Sequence, residues 1–239
     1  DDQMAPLQED ARAASVTIDP KTGAVRGYFG GHDSNGWDYA NSPLQTGSTF
    51  KIMTLAAALQ QGISLDTNYS SAPYQLPGSD VVTNVGGGCG VCNLREATKQ
   101  SLNTSFLRLQ ADLKNGTQDT ADMAHALGVA KSLPGIDKTL TEKGKQPFEG
   151  IVLGQYQSRP LDMATAMSTL ANQGVWHNPH FVQRVENAAG EVLYEHPEDE
   201  GDQNRRNDGH CREQGDEAKV QARAGLMGAP RQGQHAPAD

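Results

Sequence analysis

Two side chains in Gly47-Ser48-Thr49-Phe50-Lys51 could do chemistry together. A serine hydroxyl is a weak nucleophile until a nearby base takes its proton. A lysine three residues further along a helix lies over the same face, close enough to accept it. At a helix start, the hydroxyl would also sit among backbone N–H groups that lack an acceptor, at the positive end of the dipole. Free lysine titrates at about 10.4, so Lys51 would need burial or a cationic neighbour to act as a base near neutrality. Ser-x-x-Lys alone is weak evidence, because both residues are common; a plain N-cap beside a solvated lysine fits it equally. A second group, Ser101-Leu102-Asn103, lies between two helical stretches and by itself reads as a helix break with Asn103 capping the next helix.

The elements that must position these groups follow from local pattern. After Ser48, Ile52, Leu55, Ala56 and Leu59 recur at helical spacing, and Gly62 stops the run. Upstream, Ala14–Ile18 and Ala24–Phe29 flank Asp19-Pro20-Lys21-Thr22-Gly23, a β-hairpin signature with proline early in the turn and glycine where positive φ is needed. Residues 32–47 read as a loop anchored by Trp37 and Tyr39, and residues 63–92 as an irregular excursion with strand pieces near Val81-Val82. Asn93 caps a helix with Glu96 in capping-box position. A helix from Thr104 points Phe106, Leu107, Leu109 and Leu113 inward and closes at Asn115-Gly116. Another runs from Thr120 to Leu127. The next spans Arg159 to Asn172, with Leu161, Met163, Ala164, Met167, Ser168 and Leu170 making a small-residue face. A second hairpin joins Phe181–Val185 to Glu191–Tyr194.

A net charge of −9 over 239 residues, with no basic run, argues against nucleic acid as a partner. No stretch approaches the roughly 18 apolar residues of a membrane span. The start at Asp1-Asp2 leads us to expect a fragment or processed form, attached to a membrane only through an N-terminal anchor missing here. Cys89 and Cys92 have no second ligand pair, so neither a metal nor another cofactor is expected. The pair either closes a small disulfide that staples its loop or remains two thiols. Past His196 the composition breaks: no aromatic follows Tyr194 and no threonine follows Thr169. Residues 1–196 therefore read as one incomplete domain, and 197–239 as a disordered tail, natural or produced by a shifted reading frame.

Taken together the motifs form a named set. Ser-x-x-Lys, Ser-x-Asn and Lys-Thr-Gly mark the penicillin-binding proteins and class A β-lactamases. Ile18-Asp19-Pro20-Lys21-Thr22-Gly23, Gly30-Gly31, Ser48-Thr49-Phe50-Lys51, Ser101-Leu102-Asn103-Thr104, Arg159-Pro160-Leu161-Asp162-Met163-Ala164 and Leu170-Ala171-Asn172-Gln173-Gly174 stand in family order. Over about residues 12–196 the chain resembles the transpeptidase domain of a bifunctional (class A) penicillin-binding protein, of actinobacterial type given the Cys89–Cys92 loop. The resemblance implies an α/β (α+β) fold, an antiparallel sheet with a helical lobe and the site at their junction. It implies a serine-type D-Ala-D-Ala transpeptidase that cross-links peptidoglycan stem peptides, binds β-lactam antibiotics and works outside the bacterial cell membrane. Ser48 would be the nucleophile and one oxyanion donor, Lys51 its base and Ser101 the proton shuttle. Asn103 would hold Lys51 and the substrate amide, with Thr104 beside it at the substrate.

The chain also departs from the pattern. Its one Lys-Thr-Gly, Lys21-Thr22-Gly23, lies upstream of Ser48 in a hairpin turn, and after Gly174 the sole lysine is Lys219. The family's third motif would follow the other two, on a strand supplying the second oxyanion N–H, and losing one such donor costs on the order of 10²–10³ in rate. The expectation is a truncated or frame-shifted transpeptidase lacking C-terminal strands, of low activity and marginal stability. The alternatives are a non-catalytic peptidoglycan-binding or β-lactam-sensing module, and a β-lactamase, for which Glu142 and Glu149 would be the deacylating candidates. A serine glutaminase also uses Ser-x-x-Lys but does not suit the flanking blocks.

Overall fold

The computed structural model describes residues 12–32, 36–78 and 80–197. The compositional break, the disordered-tail expectation for 197–239 and Cys211 thus fall, but for Pro197, outside the described residues.

Strand β1 (Ser15–Ile18) pairs antiparallel with β2 (Val25–Phe29) across the predicted turn, whose Gly23 has φ 77°. The short β3 (Leu44–Gln45) leads into a 3₁₀ turn, Gly47–Phe50, and helix α1 (Lys51–Gln60). The excursion holds β4 (Asn68–Ser70), β5 (Tyr74–Gln75), β6 (Val81–Val82) and β7 (Val91–Asn93). Helix α2 (Leu94–Lys99) follows, capped by the Asn93 side chain, which accepts from Glu96 N–H at 3.0 Å. Then come α3 (Asn103–Ala111) and α4 (Thr117–Leu127). A 3₁₀ turn at Glu149–Leu153, β8 (Gln157–Ser158), α5 (Pro160–Ala171), β9 (Arg184–Glu186) and β10 (Val192–Glu195) complete the described elements. Among them strands pair only in twos: β1–β2, β3–β8, β4–β7, β5–β6 and β9–β10. The sheet beside the helical lobe is represented by the β1–β2 ribbon, whose β1 packs on α5.

Helix α1 is the hub. One side, through Ala57 and Ala58, packs with Phe106, Leu107 and Leu109 of α3; the other, through Met53, packs with Ala121 and Ala124 of α4 and Met163 and Ala166 of α5. Its buried stripe is therefore Met53, Thr54, Ala57 and Ala58, whereas the predicted inner residues Ile52, Leu55, Ala56 and Leu59 are half-buried. Small residues face inward because two helices close on α1 at once. On α5 the buried residues are Asp162, Met163, Thr165, Ala166 and Thr169, which share only Met163 with the small-residue face. Asp162 is admitted to the interior by Arg159, whose guanidinium pairs with it at 2.6 Å and whose backbone N–H donates to its carboxylate at 3.1 Å. A buried polar chain ties the hub together: Thr54 and Thr120 hydroxyls at 3.0 Å, Thr120 to Gln110 at 3.1 Å, and Gln110 Nε2 to the Glu149 carbonyl at 2.9 Å. Trp37, expected to anchor its loop, is 60% exposed.

Candidate active site

The residues preceding α1 form a 3₁₀ turn rather than the first turn of an α-helix. Three residues per turn eclipses positions i and i+3, so Lys51 stands directly over Ser48. Lys51 Nζ lies 2.9 Å from Ser48 Oγ. Ser48 is exposed, while Lys51 is only 3% exposed. The nucleophile faces solvent and the base sits behind it.

The second motif arrives from the α2–α3 junction. Ser101 has φ 53°, a left-handed backbone that costs a non-glycine residue about 1–2 kcal/mol. In that conformation both its carbonyl and its hydroxyl meet Lys51 Nζ, at 2.6 and 3.0 Å. Asn103 occupies the first position of α3 rather than the cap, which is Leu102, and its side chain makes no cap bond; Oδ1 instead accepts from Lys51 Nζ at 2.7 Å. The structure thus brings Ser48, Lys51, Ser101 and Asn103 together.

Four oxygens surround Nζ, and none belongs to a carboxylate. The apolar ring of Phe106, fully buried, backs the site with its centroid 5.9 Å from Nζ. Burial without a counter-ion disfavours the ammonium, and the Lys51 pKa is pushed down to about 8. Two of the four oxygens, the Ser101 carbonyl and Asn103 Oδ1, can only accept. A neutral amine has two N–H donors for them and one lone pair left for a hydroxyl proton. That is the donor pattern a base for Ser48 requires.

Thr104, expected at the substrate beside Asn103, lies in the first turn of α3. It is fully buried, and Asn84 takes up both its groups, Oδ1 accepting from Thr104 N–H at 3.0 Å and Nδ2 donating to its hydroxyl at 2.9 Å. Cys89 and Cys92 are bonded as a disulfide. Lys21 and Thr22 keep to their turn, with Lys21 N–H on Asp19 and Ala24 N–H on the Thr22 hydroxyl. Pattern reading missed Gly154, which has φ 75° and lies so close to Gly47 that an added Cβ would overlap the Gly47 backbone. It sets the position of the turn carrying Ser48, and its one signal is a glycine directly after Ile151-Val152-Leu153. Beside that turn runs an open cleft of about 210 Å³, lined by Gln45, Thr46, Thr49, Ser158, Pro160 and Met163 among others. Among the described residues no group of three or more His, Cys, Asp or Glu side chains could hold a metal ion, and no helix is long and apolar enough to cross a membrane.

Residues 13–210 match the family described as the penicillin binding protein transpeptidase domain. Penicillin-binding protein 1A of Mycolicibacterium smegmatis is 52% identical over 197 residues, covering 81% of this chain and 25% of that protein. Penicillin-binding protein 1A of Mycobacterium tuberculosis is 53% identical over 188 residues, covering 78% of this chain and 23% of that protein. The chain spans about a quarter of the length of these relatives. In structure it is similar to the PonA1 protein of Mycobacterium tuberculosis in complex with penicillin V. That match has a TM-score of 0.76 and 51% identity, and covers 81% of this chain and 52% of that one.

Proposed function

The chain belongs to the penicillin-binding protein transpeptidase domain family, and from that premise we propose that its site performs D,D-transpeptidation through an acyl-serine intermediate. The observation that carries the reading is the buried Lys51 amine, 2.9 Å from an exposed serine hydroxyl, with both obligate acceptors around it filled. Lys51 takes the Ser48 proton as Oγ attacks the carbonyl of the penultimate D-Ala of a stem peptide. The tetrahedral oxyanion is met by the Ser48 backbone N–H, which lies in the first turn of its helix. As the C–N bond breaks, the proton passes from Lys51 through the Ser101 hydroxyl, 3.0 Å away, to the departing D-Ala amine. An acceptor amine from a second stem peptide then attacks the ester, gives its proton back along the same path and frees Ser48. A β-lactam enters by the same first step and stays bound, because its leaving group remains tethered.

On this reading the substrates are peptidoglycan stem peptides, and the chain works outside the bacterial cell membrane, as the family match supports. Among the described residues the Lys-Thr-Gly lies in the β1–β2 turn and the oxyanion donor is the Ser48 N–H; with that donor alone acylation would be slower by on the order of 10²–10³ than with two. Glu142 and Glu149 are not among the partners of Lys51, and nothing in the geometry favours the β-lactamase reading. The test is labelling with a fluorescent penicillin. Slow, long-lived labelling that disappears in Ser48→Ala supports the reading. Labelling that survives Ser48→Ala, or no labelling after prolonged incubation, overturns it.

A further inference from the structure

The 68–92 excursion has little core of its own and is sewn to α3 by polar side chains. Arg108 donates to the carbonyls of Ser70, Ala72 and Pro73 at 3.2, 2.9 and 3.1 Å and lies over the Tyr74 ring. Nearer the site, Asn84 bridges two segments: Oδ1 accepts from Thr104 N–H in the first turn of α3, and Nδ2 donates to the Ser71 carbonyl at 2.9 Å. Ser71 N–H in turn donates to the Gly90 carbonyl at 2.8 Å, inside the loop closed by Cys89 and Cys92. Both ends of the Asn84 amide are thus committed, and the residue before it is held in place.

That residue, Thr83, offers its carbonyl to Asn103 Nδ2 at 3.2 Å. The contact decides which end of the Asn103 amide faces Lys51. With Nδ2 tied to Thr83, Oδ1 is the end left for the amine. Were Thr83 released, the Asn103 amide would no longer be held with Oδ1 on Nζ. The same release would let water reach an amine that is now almost fully buried.

We propose that Asn84 is a positioning residue of the site: it pins the Thr83 carbonyl against Asn103, and so fixes Asn103 Oδ1 on Lys51 and keeps water from Nζ. The role rests on the acyl-transfer reading above, but its signature, the Lys51 titration, does not.

The test follows the Lys51 titration by NMR of the full chain carrying 13C-labelled lysine, assigned with Lys51→Arg, beside the rate of penicillin labelling. In Asn84→Ala, water reaches Nζ, so the midpoint moves up by about one pH unit and labelling at pH 7 falls roughly tenfold, recovering at high pH. Asn84→Ser is neutral and too short to bridge Thr104 and Ser71, and moves the midpoint up as well. Val85→Ala, in the same loop and 95% exposed, leaves both unchanged. A lower melting temperature with an unmoved midpoint in both Asn84 variants would mean a merely structural role and overturn the proposal. If Asn84→Ala does not fold, Asn84→Ser alone decides by the same criterion. If the wild type takes no label, the functional reading fails while the midpoints still decide the role of Asn84.

Discussion

Around α1, Phe50, Phe106, Met53 and Leu109 are fully buried, whereas every residue of β9 and β10 is exposed. The two regions hold together by different means. The helices interdigitate large side chains from three directions. The β9–β10 hairpin relies on its own ladder, on the bonds that tie His180 to the β1–β2 turn (Val25 N–H to the His180 carbonyl at 2.8 Å), and on the His180–His196 ring stack at 3.6 Å. Chemistry that needs a lysine kept dry and four oxygens kept within hydrogen-bond reach sits in the first region. A site on the hairpin would have neither burial nor a fixed frame.

The contrast can be broken by substitution. Phe106→Ala empties a fully buried site beside Lys51 and should cost about 3–5 kcal/mol, against less than about 0.5 kcal/mol for Leu193→Ala on the hairpin, both read by urea unfolding. Equal losses would refute the division. Gly154→Ala carries a smaller stability cost, roughly 1–2 kcal/mol for its positive φ alone, but acts at the site. Its methyl meets the Gly47 backbone, so the Ser48 turn shifts and penicillin labelling falls toward the roughly hundredfold loss that a 1 Å displacement brings. Unchanged labelling would show that the turn is held elsewhere.

The smallest effect per step is that of pH. Lys51 must be neutral to accept the Ser48 proton, so labelling falls about tenfold for each pH unit below about 8 and levels off above it. Stability runs in the same direction. The unfolded lysine keeps its proton to about 10.4 while the folded one releases it at about 8, so the unfolded state binds more protons between these values and stability rises across that window. A labelling rate flat from pH 6 to 9 would show that Lys51 is not the base.

Local signals were legible wherever a few neighbouring residues settle the structure. The Asp19–Gly23 turn, the Asn93 cap and the glycine stop at Gly62 need only their neighbours, and each stands where pattern reading puts it. Which faces of α1 and α5 are buried was not legible, because hydrophobic spacing does not include the partners. A helix with neighbours on two sides buries its small residues, and Thr54 and Asp162 go inside because Thr120 and Arg159 meet them. Thr104 looked available beside Asn103, yet Asn84, twenty residues upstream, covers it. No spacing rule connects those two positions.

The same division runs through the site. That Ser48 and Lys51 fall on one face of a helical turn was legible in the sequence, because positions three apart are neighbours there. What Lys51 can do there was decided only by the tertiary structure. Its charge state depends on α3 arriving over it with Ser101 and Asn103, on Phe106 filling the space behind, and on the absence of a carboxylate from its partners. A proton affinity is set by everything within a few ångströms, and the chain brings those atoms from segments fifty residues apart.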